Sequence, residues 1–135
     1  MAINNPSILN HCAVALLGSV DSVNLNSETQ TTLFTVPTGK KCVLDHIRIR
    51  NVSADCSSAT VTIGLSTALT DFLGTQTLSA LNAAATTGIL RPVPNATTVL
   101  GQEYTAAEII QIDVSAAAGS ACTATVELFG TLDDA

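Results

Sequence analysis

A period of two runs through most of this chain and limits what it can fold into. Ala59, Val61, Ile63 and Leu65 alternate with Thr60, Thr62, Gly64 and Ser66. In an extended backbone that spacing puts every apolar side chain on one face. Ile110, Ile112 and Val114 repeat it against Gln111 and Asp113. Cys122, Ala124, Val126, Leu128 and Leu132 repeat it against Thr123, Thr125, Glu127 and Thr131, with Gly130 in the remaining inward slot. Over residues 41–52, Val43, Ile47 and Ile49 share one face while Arg48 and Arg50 take the other. Asp45 interrupts that inward series, so it needs an edge, a partner or a β-bulge. These rows predict an all-β antiparallel sandwich of about eight strands.

The punctuation agrees. Pro37-Thr38-Gly39 reads as a turn with proline at its first central position, joining a strand over 30–36 to the one from Lys41. Residues 115–121, with Gly119, read as a hairpin loop between the last two strands. Pro92-Val93-Pro94-Asn95 is expected to be extended, because two prolines fit neither a helix nor a central ladder. Residues 70–85 lack alternation, and Phe72, Leu73, Leu78 and Leu81 there allow at most one short helix. No linker or composition break divides the chain, so 11–135 reads as one domain behind an N-terminal arm, 1–10. Ile3, Ile8 and Leu9 of that arm are candidate contacts with a neighbour. A short echo links Cys56 to Gly64 with Cys122 to Gly130, both holding Ala-Thr-Val. It is too brief to argue duplication.

Composition narrows the function classes. Of 135 residues 47% are hydrophobic and 12% charged, against about 25% charged in ordinary domains. Disorder, which needs low hydrophobicity and high charge, is excluded. Five Lys/Arg against eleven Asp/Glu, a net charge of -6, argue against a nucleic-acid binder. Ala and Thr supply nineteen residues each, so the apolar total means small and medium side chains. Such charge depletion suits a face covered in a homo-oligomer. The plainer alternative is a monomer whose surface is Thr, Ser and Asn. The apolar run over 12–17 falls far short of the about 20 residues of a membrane span. Met1 to Asn10 carries no Lys or Arg, so no positively charged secretory start is seen and synthesis in a cytoplasm is expected.

No constellation of residues carries chemistry. Cys12, Cys42, Cys56 and Cys122 contain no C-x-x-C pair. Cys42 and His46 would stand about 13 Å apart on a strand, too far to share a zinc ion. Reduced, buried thiols without metal are therefore expected, although Cys56 and Cys122 could pair if their strand starts meet. His11 and His46 are the only histidines, and neither a G-x-S-x-G elbow nor a phosphate loop at Gly39-Lys40 is complete. The expectation is no enzyme and no cofactor. Lys40, Lys41, Arg48 and Arg50 hold four of the five positive charges. They form either a solvated strand face or a contact patch for an acidic neighbour.

The run from Phe34 to Asn51, F-T-V-P-T-G-K-K followed by a strand ending in R-N, resembles small β-sandwich proteins of tailed bacteriophage virions. Ala59 to Gly64 and Val126 to Leu132 are similar to the same group, and these patches together cover roughly half the chain. The resemblance implies a jelly-roll-like sandwich that decorates or cements the capsid exterior, with the major capsid protein or another virion protein as partner. It also implies a homotrimer, made in a bacterial host's cytoplasm, with no catalytic residues to carry over. The alternatives are a neck or tail accessory, or a glycan- or receptor-binding jelly roll. Tyr104 is the only Tyr or Trp available to stack on a sugar. The four cysteines and the Ala-rich residues 82–87 depart from the group's pattern.

Overall fold

The computed structural model describes residues 13–92 and 103–135. They form nine strands: β1 (Ala15–Asn24), β2 (Gln30–Thr35), β3 (Lys40–Arg50), β4 (Thr60–Leu65), β5 (Ala68–Thr77), β6 (Gly88–Leu90), β7 (Glu103–Thr105), β8 (Ile109–Ala116) and β9 (Thr123–Asp134). Sheet A has the order β1-β9-β3-β6, with β7 also on β3, and sheet B the order β2-β8-β4-β5. Every pairing is antiparallel.

The pairs nest. β4 meets β5, β3 meets β6 and β7, β2 meets β8, and β1 meets β9. This is one long hairpin, tip at the β4–β5 turn, rolled until β9 also lies beside β3 and β8 beside β4. Such rolling produces a jelly-roll sandwich. The expected eight strands become nine because the strand opposite β3 comes in two pieces. β6 pairs with Ile47–Ile49 and β7 with Lys41–Val43.

The inward rows interdigitate between the sheets. Ile47, Ile49, Val126 and Leu128 from sheet A meet Val61, Ile63, Ile110 and Ile112 from sheet B, all fully buried. Burying side chains of this size contributes about 1.5–3 kcal/mol each.

In keeping with the allowance of at most one short helix, no helix occurs among the described residues, and residues 70–77 belong to β5. The register of β5 against β4 shifts twice, which hides its alternation. Other expectations are corrected. Residues 115–121 are not a hairpin loop, because β8 lies in sheet B and β9 in sheet A. They cross the sandwich end, tied by the Ala118 amide to Leu25 O and by the Ser58 hydroxyl to Ala118 O. Proline is the first residue of its turn, not the first central one. Lys40 N donates to Pro37 O, so Thr38 and Gly39 are central, and Gly39 supplies the positive φ of 74°.

Asp45 marks a bulge. Leu44 stands opposite Gly130 and His46 opposite Phe129, so Asp45 is the extra residue. The insertion resets the side-chain parity of β3. Cys42 and Leu44 are buried, not Val43, which joins the outward series. Pro94 and Asn95, with Val93, lie outside the described residues.

Candidate interaction surface

Cross-strand register arranges the outer face of sheet A in rows. Leu16 of β1 stands opposite Phe129 of β9, and Phe129 opposite His46 of β3. The next row is Ser19, Glu127, Arg48 and Ile89. Thr125 and Arg50 follow. The His46 and Phe129 rings are stacked, centroids 4.6 Å apart and planes within 6°. The Arg48 guanidinium sits 5.4 Å from the same ring centroid, a cation–π arrangement. Asp45, thrown outward by the bulge, places Oδ2 2.6 Å from His46 Nδ1.

Glu127 is the keystone of this face. Alternation alone makes it a surface residue, yet its side chain is only 2% exposed. Arg48 Nη2 donates to its Oε2 at 2.6 Å and Arg50 Nε donates to its Oε1. Burial pushes the carboxyl's pKa up. The hydrogen bonds and charges of Arg50 and Arg48 outweigh that and hold it below the ordinary carboxylate range. The two guanidinium side chains remain 41% exposed, so the cluster presents arginine outward over a neutralised base. Beside it Thr125, 4% exposed, donates to Asp21 Oδ1 at 3.0 Å.

The four basic residues picked out from sequence therefore fall into two groups. Arg48 and Arg50 do share a face, with Glu127 between them. Lys40 pairs with Asp134, and Lys41 with Glu103 at 3.1 Å. All four cations thus face carboxylates of the same chain. Ile3, Ile8 and Leu9 lie outside the described residues.

Sequence reasoning missed the apolar part of the face. Leu16 is 52% exposed and Ile89 56%, and Val14, two residues before Leu16, is 49% exposed. Among the described residues these are all the exposed large hydrophobics. The available signal was a large aliphatic residue at an outward parity. Reading it requires knowing where the bulges of β1 fall, and they lie between Leu16 and Gly18 and between Val20 and Val23.

Elsewhere the chemistry is quiet. Among the described residues no group of three or more His, Cys, Asp or Glu side chains could hold a metal ion, and no helix is long and apolar enough to cross a membrane. Cys42, Cys56 and Cys122 are free and buried. Burial, with help from Glu108, pushes the Cys42 thiol up to about 11. Burial also raises the Tyr104 hydroxyl, and Asp71 adds to the shift. A small apolar cleft of about 100 Å³ lies between Leu78, Leu81 and the β6 residues Gly88–Leu90, with Thr77 and Ser79 as its hydroxyls. It offers neither a base nor a nucleophile–base pair.

No family model and no curated protein matches this chain. Among solved structures it is similar to a chain of the cyanophage Pam1 capsid asymmetric unit, at 15% identity and a TM-score of 0.49, over 88% of this chain and 84% of that one. A likeness of that degree does not carry function across, so the functional reading rests on the residues themselves.

Proposed function

We propose that the chain is a non-enzymatic structural protein of a phage virion, and that it binds the outside of the capsid as a decoration or cement protein. The outer face of sheet A is the contact surface. The observation that carries this reading is the concentration of exposed Leu16 and Ile89, with half-covered Phe129, on one face around an arginine-capped carboxylate. An apolar patch with arginine and an aromatic ring at its centre is the composition of interface cores.

The jelly-roll strand order and the resemblance of residues 34–51, 59–64 and 126–132 to phage virion β-sandwich proteins support the same reading. A net charge of -6 suits an external position, because packaged DNA would repel it. Each contact is small, but a symmetric lattice of copies adds them by avidity. The working unit is a homotrimer, as the resemblance implies, with the major capsid protein as partner.

Immunogold labelling of intact particles, together with heat challenge of particles stripped of the protein, tests the proposal. Label spread over the head and a lowered rupture temperature after stripping are expected. Label confined to the neck or tail, or unchanged rupture, would reject the cement role in favour of a neck or tail accessory.

A further inference from the structure

Two of the buried thiols meet. Cys56 lies in the connection between β3 and β4, and Cys122 at the entrance to β9. The segment before Cys56 is zipped to that entrance. Ser53 N donates to Thr123 O, Thr123 N donates to Ser53 Oγ, and Cys122 Sγ lies 3.5 Å from Ala54 O. On its other side Cys122 is fixed by Leu25 N, which donates to Cys122 O. Cys56 is anchored by its amide to Leu81 O and by Ala59 N to its own carbonyl. Between these anchors Cys56 Sγ lies 3.5 Å from Leu81 O, and the Cys122 thiol, held on Ala54 two residues before Cys56, is near enough to help raise the Cys56 pKa.

We propose that Cys56 and Cys122 are a latent disulfide, thiols in a reducing compartment and joined when the protein meets a low-molecular-weight disulfide outside it. The bond would tie the β3–β4 connection to the start of β9 across the open end of the sandwich. The step is ordinary exchange. One cysteine thiolate attacks a sulfur of oxidised glutathione and expels one glutathione. The second cysteine then attacks the protein sulfur of the mixed disulfide and expels the other. Two protein S–H bonds are lost and one S–S bond forms. The two electrons and two protons end on glutathione, which leaves as two thiols.

The pair is built to wait. Burial, with the Cys122 contact second, pushes the Cys56 thiol up to about 12, so the attacking thiolate is scarce at neutral pH. Exchange then has to pass through local opening of the loop. The inference stands apart from the virion reading, since it needs only a change of redox compartment.

The test refolds the full chain from denaturant in an oxidising glutathione buffer, so that equilibrium and not access decides the outcome. Intact mass, thiol titration under denaturing conditions and non-reducing peptide mapping follow. The expected product has lost two hydrogens and links the Cys56 and Cys122 peptides, with Cys42 still alkylatable. The linkage closes a loop of about 65 residues, so the melting temperature should rise by about 10 °C, and dithiothreitol should reverse it. A Cys12→Ala, Cys42→Ala double variant should behave identically. Retention of all thiols, linkage through Cys42 or Cys12, or a linked chain that melts no higher than the reduced one would overturn the proposal.

Discussion

The two sheets share one core but present unlike outer faces. Sheet B faces outward with Thr32 beside Gln111 and with Gln30, Asp113 and Thr62 in the adjoining row. Several of its side chains pair with one another, although Thr62 Oγ1 and Gln111 Oε1 are buried without a hydrogen-bond partner. Gln111 Nε2 donates to Thr32 Oγ1 at 3.1 Å, and the Thr60 and Ser115 hydroxyls are 2.8 Å apart. Sheet A instead carries a stacked His46–Phe129 pair, a buried carboxylate under two arginines, and exposed Leu16 and Ile89. Sheet B's face of hydroxyls, amides and the Asp113 carboxylate carries no exposed large hydrophobic residue among the described residues. Apolar and cationic groups around a desolvated charge are a surface prepared for a partner. On the proposed function, that difference favours sheet A over sheet B as the contact surface.

If the two sheets are equally tightly packed and differ only in outer chemistry, matched changes at crowded glycines should cost alike. Gly130 of β9 and Gly64 of β4 are each approached by a neighbouring backbone carbonyl, Val43 O and Ala68 O, where a Cβ would overlap it. Gly130→Ala and Gly64→Ala should each destabilise by about 3 kcal/mol, read from urea unfolding. A large loss in one sheet and none in the other would break the equivalence.

Glu127→Gln probes the outer face of sheet A. It leaves two arginines around an uncharged amide, and an expected loss of about 2 kcal/mol reflects a buried carboxylate whose partners are partly solvated. The folded carboxyl titrates below its ordinary 4.5, so its stabilisation is present above that pH and lost as pH falls through the lower folded value. The gap between wild type and variant should therefore be full at pH 7, begin to close as pH falls through 4.5 and vanish below the lower folded value. A gap constant across that range would remove Glu127 as a charged keystone.

Leu16→Asp and Ile89→Asp should change monomer stability by no more than about 0.5 kcal/mol, since both side chains are already half in water. Their effect should fall on association, with sedimentation showing loss of the oligomer or of particle binding. The smallest effect on association is expected on sheet B. Gln111→Ala removes one exposed hydrogen bond, costs about 0.5–1 kcal/mol, and should leave association untouched. Weakened association from Gln111→Ala would move the contact surface to the other sheet.

Much of the architecture was legible because period two survives in strands with straight registers near the sandwich centre. The rows through Val61, Ile112 and Val126 stand in the structure as alternation places them. Asp45 was legible as a disturbance whose resolution the sequence left open. β1 was not legible. It is an edge strand with two register shifts, one spanning Ser22 with its φ of 56°, and each shift flips parity. The crossing at residues 115–121 looked like a hairpin because a short loop with glycine serves either purpose, and only the competing partners β2 and β1 separate β8 from β9.

The site was half legible. Arg48 and Arg50 announce a shared face by spacing alone. Their neutralising carboxylate comes from the far end of the chain, and its burial depends on pairings that no local pattern encodes.

The bulge at Asp45 also bears on how such a chain can change length. Asp45 is the one residue of β3 without a partner on β9, so removing it would join Leu44 to His46 with alternation intact, leaving Cys42, Leu44 and Ile47 inward and His46 still opposite Phe129. Only the Asp45–His46 contact would go. Removing two residues there would set Leu44 directly before Ile47 and force one half of the strand to turn its buried side chains to water. Genetic drift should therefore accept a single-codon loss at the bulge as a trim, while a double one behaves like a folding lesion.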